Sequence, residues 1–576
     1  MAGRTGPSPA WLAAVALGAA LLHQLYWLLP LALMLGLPAL WFGQPVLVGL
    51  ALVAFLVLAW IFQPRAALPP QRLAVQEAPR LYERVHALAD ALQAPRVHAI
   101  ALDDELNAGA LELNRGVSLR PVRRVLVIGR PLLAALDAQA VEAVIAHELG
   151  HFSRKHGRLG HWLYRTRQSW AALRDLQDDP GADQDSSAWD RAASGFAQRF
   201  LPWFDRISHA HLRRCEFEAD ALAARVVQPQ ALARALVQLH QLQEGMLRVG
   251  ALAVRQQMLR HAQRPADLLD REVAAWRESV QARGAAETSP PDDDDTHPPL
   301  DERLAALGVA TVDAAWPSRS AGLNWWGDET WPAVAAGPGD EAQRLRWRMA
   351  HRLLQGLVPA VAGTPERRAQ RAWICGELPS EGELGDSPAA LLIRARIALH
   401  QGDRAAARQL LLACRALKTA ERDDATRLLM HHRLAADATQ QRQHAAWWQA
   451  VQARRAAAFE SMETARLRGR IEPPPLEADE QAALRAALGE HPDILEVDLL
   501  GQSMQVQGVN YRMVVLLLRI TPQAEEDAVA EAAQPLLAWV GDAALLRIVQ
   551  VRYADEALAP ALAEALRALQ AGPVLP

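Results

Sequence analysis

The segment 137–155 restricts the fold more than any other part of the chain, because it predicts a helix that carries a metal-binding motif. Asp137 is a favourable N-cap, and apolar residues recur after it at helical spacing. His147 and His151 are four residues apart, so both imidazoles share one helix face and can bind one zinc ion. Glu148 completes an H-E-x-x-H motif as the general base. The alternative is an amphipathic core helix whose two histidines bind no metal.

A third ligand must come from elsewhere in the chain, since a catalytic zinc site needs three protein ligands and one open position. Glu216 and Asp220 are four residues apart and face the same way on a predicted helix. This spacing predicts Glu216 as a zinc ligand and Asp220 as the acceptor of a hydrogen bond from a ligating imidazole, that of His147. Glu218 points about 200° away around the helix and is the weaker candidate. Without the histidine motif, the same run would be a solvated, charge-rich helix face.

Other side chains compete for the ligand role. Cys215 precedes Glu216, but a thiolate suits a closed structural zinc site better than a hydrolytic one. Further histidines are more typical of surface or packing positions; they are His156, His161, His209 and His211.

Residues 122–130 predict a strand that leads through Pro131 into the motif helix. A strand beside a metal helix can hold an extended substrate by strand addition. Residues 107–113 can form part of the same substrate-binding rim beside the metal helix. The alternative for both segments is an ordinary sheet core.

Three sequence motifs together resemble those of the membrane-associated gluzincin peptidases, which include the HtpX-type quality-control proteases and the CAAX prenyl proteases. They are AVIAHELGHF at 143–152, the E-x-E-A-D run at 216–220, and T-H-P-P at 296–299 followed by Arg303. The resemblance covers residues 73–307 and the hydrophobic start. It implies zinc ligated by His147, His151 and Glu216, with Glu148 as the base.

The resemblance also places His297 beside the active-site cleft. The two prolines after it hold its backbone extended. Its imidazole could then donate to the developing oxyanion, or bind zinc in place of water and keep the enzyme latent, or only pack.

One segment departs from the family pattern. HtpX-type members carry additional hydrophobic helices between the metal helix and the third ligand. Here charged residues interrupt residues 159–211, which predicts soluble or amphipathic helices.

The N-terminal 62 residues predict a transmembrane hairpin. Residues 10–29 and 46–62 are almost wholly apolar, and each could span a bilayer core of about 30 Å. Arginines flank the pair on its outer sides, and the connecting loop contains no lysine or arginine. The positive-inside rule therefore places both ends, and the catalytic domain, in the cytoplasm at the inner membrane. A cleaved signal peptide is the main alternative.

Composition excludes some classes of function. The net charge of −4 gives no indication of nucleic acid binding. Three cysteines form no disulfide framework, which agrees with a reducing compartment.

The C-terminal half carries no second catalytic motif. Residues 389–417 resemble one tetratricopeptide helix-turn-helix unit, and residues 504–520, 545–553 and 555–569 predict strands and a last helix. The fold class is therefore mainly α with a small α+β part. We expect a hairpin over 1–63, a zincin-type metallopeptidase domain over 64–315, a helical region over 316–488 and a small α/β module over 489–576.

These features predict a membrane-anchored zinc endopeptidase that acts on protein or peptide substrates, in membrane protein quality control. The alternative is a membrane scaffold that works through its C-terminal helices, with a regulatory or inactive peptidase domain.

Overall fold

The computed structural model divides the chain into two compact units, residues 1–240 with 293–331, and residues 241–292 with 332–576. The structure describes residues 8–23, 69, 71–113, 123–152, 163, 166–167, 169–171, 188–282, 297–337, 339, 341–358, 364–379, 382, 384–417, 419, 421–432, 434–465, 471–506, 509–540, 546–556, 563–564 and 566–567.

The described elements are mainly helical, with two small sheets. The helices are α1 Pro79–Ala91, α2 Arg130–Ala135, α3 Ala138–His151, α4 Ala188–Val227, α5 Pro229–Arg260, α6 Leu268–Gln281, α7 Leu300–Ala306, α8 Ala321–Ala336, α9 Glu341–Leu357, α10 Pro365–Ile374, α11 Pro388–Gln401, α12 Arg404–Ala416, α13 Glu421–His431, α14 Ala438–Ala465, α15 Ala478–Leu488 and α16 Glu526–Trp539. The strands are β1 Arg72–Leu73, β2 Ala99–Asp103, β3 Ala108–Leu113, β4 Arg123–Gly129, β5 Ile494–Val506, β6 Val509–Ile520 and β7 Leu546–Tyr553.

The sheet of the first unit has the order β1-β2-β4-β3. Strands β2 and β4 are parallel, with Ile100 opposite Leu126, and both of these side chains are fully buried. Strand β3 pairs with β4 in antiparallel fashion, with Ala110 opposite Leu126, and lies at the edge of the sheet. Their β-branched and leucine residues suit a pleated, buried surface. The chain runs from β4 directly into α2 and then into α3, as the sequence indicates.

This arrangement corrects one expectation about substrate binding. Of the predicted strand at 122–130, residues 123–129 form β4, but β4 is paired on both sides and offers no free edge for strand addition. The edge of the sheet is β3, within the predicted rim at 107–113.

The predicted transmembrane hairpin is not confirmed. Residues 9–23 form a helix, and its Leu12 and Ala16 are buried in one cluster with Phe204 of α4. Over the part of the chain that the structure describes, no helix is both long and apolar enough to cross a membrane. The end of the first predicted span and all of the second, residues 46–62, lie outside the described residues.

The second unit contains the three-stranded sheet β5-β6-β7, in which β6 is central, antiparallel to β5 and parallel to β7. Strands β6 and β7 lie in the predicted segments 504–520 and 545–553, whereas most of β5 and all of helix α16 lie outside the predicted segments. Of the predicted last helix at 555–569, the structure describes too few residues to test it. Residues of α9, α15, α16 and the sheet share one hydrophobic core.

The predicted helix-turn-helix unit at 389–417 corresponds to α11 and α12. Asp403 caps α12 by accepting a hydrogen bond from the Ala406 N–H, and Gly402 takes the left-handed conformation (φ 71°) that ends α11. Both helices share a core with α13. Among described residues, Asp423 of α13 makes a buried ion pair with Arg454 of α14 and accepts a hydrogen bond from the Tyr511 hydroxyl of β6. These contacts link the helical region to the sheet.

Candidate metal centre

Helix α3 brings the two histidines of the motif together. The Asp137 carboxylate caps its first turn by accepting a hydrogen bond from the Ala140 N–H. Because His147 and His151 are one turn apart, their Nε2 atoms lie 3.3 Å from each other. His147 is buried, whereas the His151 side chain is 30% exposed, so the pair opens on the His151 side.

Helix α4 crosses α3 at a glycine. A Cβ atom on Gly150 would stand 3.3 Å from the Cα and the carbonyl oxygen of Ala219, closer than most real Cβ contacts. Glycine therefore allows the two helices to approach closely next to His151, and this approach carries Glu216 to the histidines.

The side chains of His147, His151 and Glu216 form a triangle, in which each histidine faces a different oxygen of the Glu216 carboxylate. The Nε2 atoms are 3.3 Å apart, His147 Nε2 is 3.4 Å from Glu216 Oε2, and His151 Nε2 is 3.5 Å from Glu216 Oε1. Three corners of a tetrahedron around an ion with bonds of about 2.0–2.1 Å lie about 3.3–3.4 Å apart. These three residues also form the group of possible metal ligands found among the described residues. The three residues therefore supply the nitrogen and oxygen donors of a zinc site at a spacing close to that of a tetrahedral ion.

Asp220, one turn beyond Glu216, fixes the orientation of His147. The His147 Nδ1–H donates to Asp220 Oδ1 at 2.9 Å, which directs Nε2 toward Glu216 and His151. Burial acts to lower the pKa of His147, but its hydrogen bonds to Asp220 and Glu216 outweigh burial and raise that pKa to about 10, so a metal ion that binds Nε2 displaces a proton. Burial and the neighbouring His147 lower the pKa of His151 to about 4.

Glu148, next to His147 on α3, contacts the edge strand β3. Its carboxylate accepts a hydrogen bond from the backbone N–H of Ala110 in β3. Burial, the largest influence, raises the pKa of Glu148 above its ordinary value. A carboxylate whose pKa moves toward neutrality is suited to taking up and releasing a proton.

The structure places His297 at the mouth of the site. Its Nδ1 is 2.7 Å from Glu216 Oε2, and its side chain is 55% exposed. Burial acts to raise the pKa of Glu216, but the hydrogen bonds from His147 and His297 hold that pKa well below its ordinary value. His297 therefore contacts a carboxylate of the triangle and is not one of its corners.

The competing ligand candidates lie outside the triangle. Glu218 faces Arg214 at 3.9 Å on the outer side of α4. Burial raises the pKa of the Cys215 thiol to about 11, which keeps it protonated and unlike a metal-binding thiolate. His209 and His211 are not in the group of possible ligands, and His156 and His161 lie outside the described residues.

One residue of the site had no assigned role in the sequence analysis. Arg303 of α7 donates two hydrogen bonds to the Asp220 carboxylate. In the sequence, Arg303 is marked only by its position shortly after the T-H-P-P motif that contains His297.

Comparison with known proteins agrees with this geometry. The model of Peptidase family M48 matches residues 75–310, which include all of the residues of the site. A protease HtpX homologue from Gemmatimonas aurantiaca is 29% identical over 242 residues, covering 41% of this chain and 77% of that protein. The crystal structure of S. mikatae Ste24p is similar at 16% identity, over 50% of this chain and 67% of that one, with a TM-score of 0.22. Residues 75–310 are therefore similar to peptidase family M48, and the HtpX homologue supports a metallopeptidase of this type.

Proposed function

We propose that this protein is a membrane-anchored, zinc-dependent endopeptidase of the gluzincin type. The observation that carries the proposal is the triangle of His147, His151 and Glu216 donor atoms with Glu148 beside it. In this assignment the three corners hold zinc, and Asp220 orients His147. Zinc bound there would supply a Lewis acid and make water more acidic near neutral pH.

Glu148 is the proton carrier of the reaction. Its carboxylate takes the proton from the attacking water and delivers it to the amine that leaves. Its raised pKa supports both halves of this task, because a stronger base accepts the proton more readily than an ordinary carboxylate does.

The edge strand β3 is the proposed support for the substrate backbone. Among the described strands, β3 pairs only with β4, so an extended peptide can add to its other side. The Ala110 N–H already points at Glu148, so a peptide along β3 passes next to the base.

His297 is proposed to act on the substrate carbonyl. Its exposed side chain at the mouth of the site disfavours a role in packing alone. Its contact with Glu216, rather than a place in the triangle, favours donation to the developing oxyanion over a latency ligand.

Membrane anchoring rests on the apolar residues 10–29 and 46–62, and it would place the catalytic domain on the cytoplasmic side of the inner membrane. A membrane protease with a cytoplasmic site suits a role in membrane protein quality control. The division of the chain at residues 63, 315 and 488 stays a prediction.

The test compares wild type with Glu148→Gln. We expect the variant to bind zinc with unchanged stoichiometry and to cleave an unstructured protein such as casein at least about 10²–10⁴-fold more slowly, because the ligands are intact and the base is gone. Metal analysis and a cleavage assay measure the two properties. Cleavage at the wild-type rate would overturn the proposal.

A further inference from the structure

We propose that Arg303 is a positioning residue of the metal centre, which acts on His147 through the carboxylate of Asp220. The inference rests on the proposed function, because it concerns how the same site holds its metal.

The contact between Arg303 and Asp220 is bidentate. Arg303 Nε donates to Asp220 Oδ2 at 2.8 Å, and Arg303 Nη2 donates to Asp220 Oδ1 at 2.7 Å. Two parallel hydrogen bonds from a planar guanidinium fix both the position and the plane of the carboxylate. A lysine could supply the charge but not the plane.

The same oxygen joins the two partners of Asp220. Oδ1 accepts from Arg303 Nη2 and also from His147 Nδ1 at 2.9 Å, and the two donor nitrogens are 3.5 Å apart. The orientation of the Asp220 carboxylate therefore sets the direction of the His147 ring and aims its Nε2 at the metal corner of the triangle. Arg303 fixes that orientation because it holds the second oxygen, Oδ2, as well as Oδ1.

Burial makes this arrangement sensitive to the loss of the arginine. The side chains of Arg303, Asp220 and His147 are 11%, 2% and 6% exposed. A buried carboxylate that loses its cationic partner is poorly solvated and moves to find other donors. Such a movement would turn His147 away from Glu216 and His151.

Arg303 reaches the site from a different chain segment. It lies on α7, whereas Asp220 lies on α4 and His147 on α3. A second ion pair, between Glu302 of α7 and Arg213 of α4, holds the same two helices together without touching Asp220. This second pair provides a matched control for a purely structural effect of α7.

The experiment measures the zinc affinity of the full-length chain by competition with a chelator. The variants are Arg303→Met, Arg303→Lys, Asp220→Asn, the double variant Arg303→Met with Asp220→Asn, and the control Glu302→Gln. Thermal unfolding of each metal-free variant reports separately on the fold.

We expect Arg303→Met and Asp220→Asn each to weaken zinc binding by about 10–100-fold, the range found for partners of metal ligands. Arg303→Lys should retain part of the lost affinity, and Glu302→Gln should bind as wild type does. The double variant should be no weaker than Asp220→Asn alone, because Arg303 acts through that carboxylate. If Arg303→Met does not fold, the comparison of Arg303→Lys with Glu302→Gln decides.

Wild-type affinity in Arg303→Met, or in Arg303→Lys where that comparison decides, would overturn the inference and leave the proposed function intact. Additive losses in the double variant would also overturn it, since the two residues would then act independently. A wild-type chain that binds no zinc would instead overturn the proposed function.

Discussion

At the scale of single residues, the phase of the carboxylates on α4 separates their roles. Glu216 is buried and contributes an oxygen to the triangle, whereas Glu218, two residues later, faces Arg214. Asp220, one turn after Glu216, returns to the inner face and meets His147. Two acidic residues so close in sequence thus have different surroundings because a helix turns about 100° per residue.

The pair Glu216→Ala and Glu218→Ala tests this separation. Glu216→Ala should lose zinc binding because it removes one corner of the triangle. Glu218→Ala keeps all three corners and should bind zinc as wild type does. Metal analysis after dialysis checks both variants. Equal zinc content in the two would contradict the assignment of Glu216.

His297→Ala tests the role at the mouth of the site. If His297 donates to the oxyanion, kcat should fall by about 10²–10³-fold with little change in KM. Steady-state kinetics on a peptide substrate separate the two constants. A rise in the activity of His297→Ala would favour a role of His297 as a latency ligand. Unchanged kcat and KM would show that His297 has no catalytic role.

At the scale of elements, the site depends on the distance between α3 and α4. Helix α3 carries the two proposed histidine ligands and α4 carries Glu216, so the proposed metal site needs both helices. The close approach at Gly150 and Ala219 sets the separation. Packed helix axes are usually about 8–10 Å apart, and small residues at the crossing give the short end of that range.

Larger side chains at Gly150 should separate the helices. Gly150→Val should weaken zinc binding and lower the melting temperature, because its branched side chain must displace the backbone at Ala219. Gly150→Ala should have a smaller effect, since its contacts of 3.3 Å require only a slight shift. Chelator competition and thermal unfolding measure the two effects. Equal zinc affinity in Gly150→Val and wild type would show that the approach does not matter.

At the scale of the whole molecule, the residues proposed to bind the metal and to act in catalysis all belong to the first compact unit. The second unit, with its helices and three-stranded sheet, contributes no residue to the described site. Anchoring of the first unit to a membrane would raise the local concentration of membrane-adjacent substrates rather than change the chemistry.

Topology mapping tests the proposed anchor. Tags at the N-terminus and directly after Arg72 should both lie on the cytoplasmic side, because arginines flank both outer ends of the apolar pair. Protease accessibility in intact and in permeabilised cells locates each tag. Opposite locations for the two tags would contradict the hairpin.

The sequence by itself determined the features that depend on local geometry. The N-cap at Asp137, the i, i+4 pair of His147 and His151, and the matching phase of Glu216 and Asp220 follow from the helical repeat alone. Strands β4, β6 and β7 follow from their apolar, β-rich runs in the same way. The periodicity of a helix or a strand depends only on residues close in sequence, so it can be predicted without knowing the fold.

Only the tertiary structure decided which distant residues meet. Pairing in the sheet made β3 rather than β4 the edge beside Glu148, because strand order depends on long-range hydrogen bonds. The approach of α7 to α4 joined Arg303 to Asp220, although 83 residues separate them in the sequence. Such contacts arise from packing and charge pairing between elements, and no local pattern in the chain encodes them.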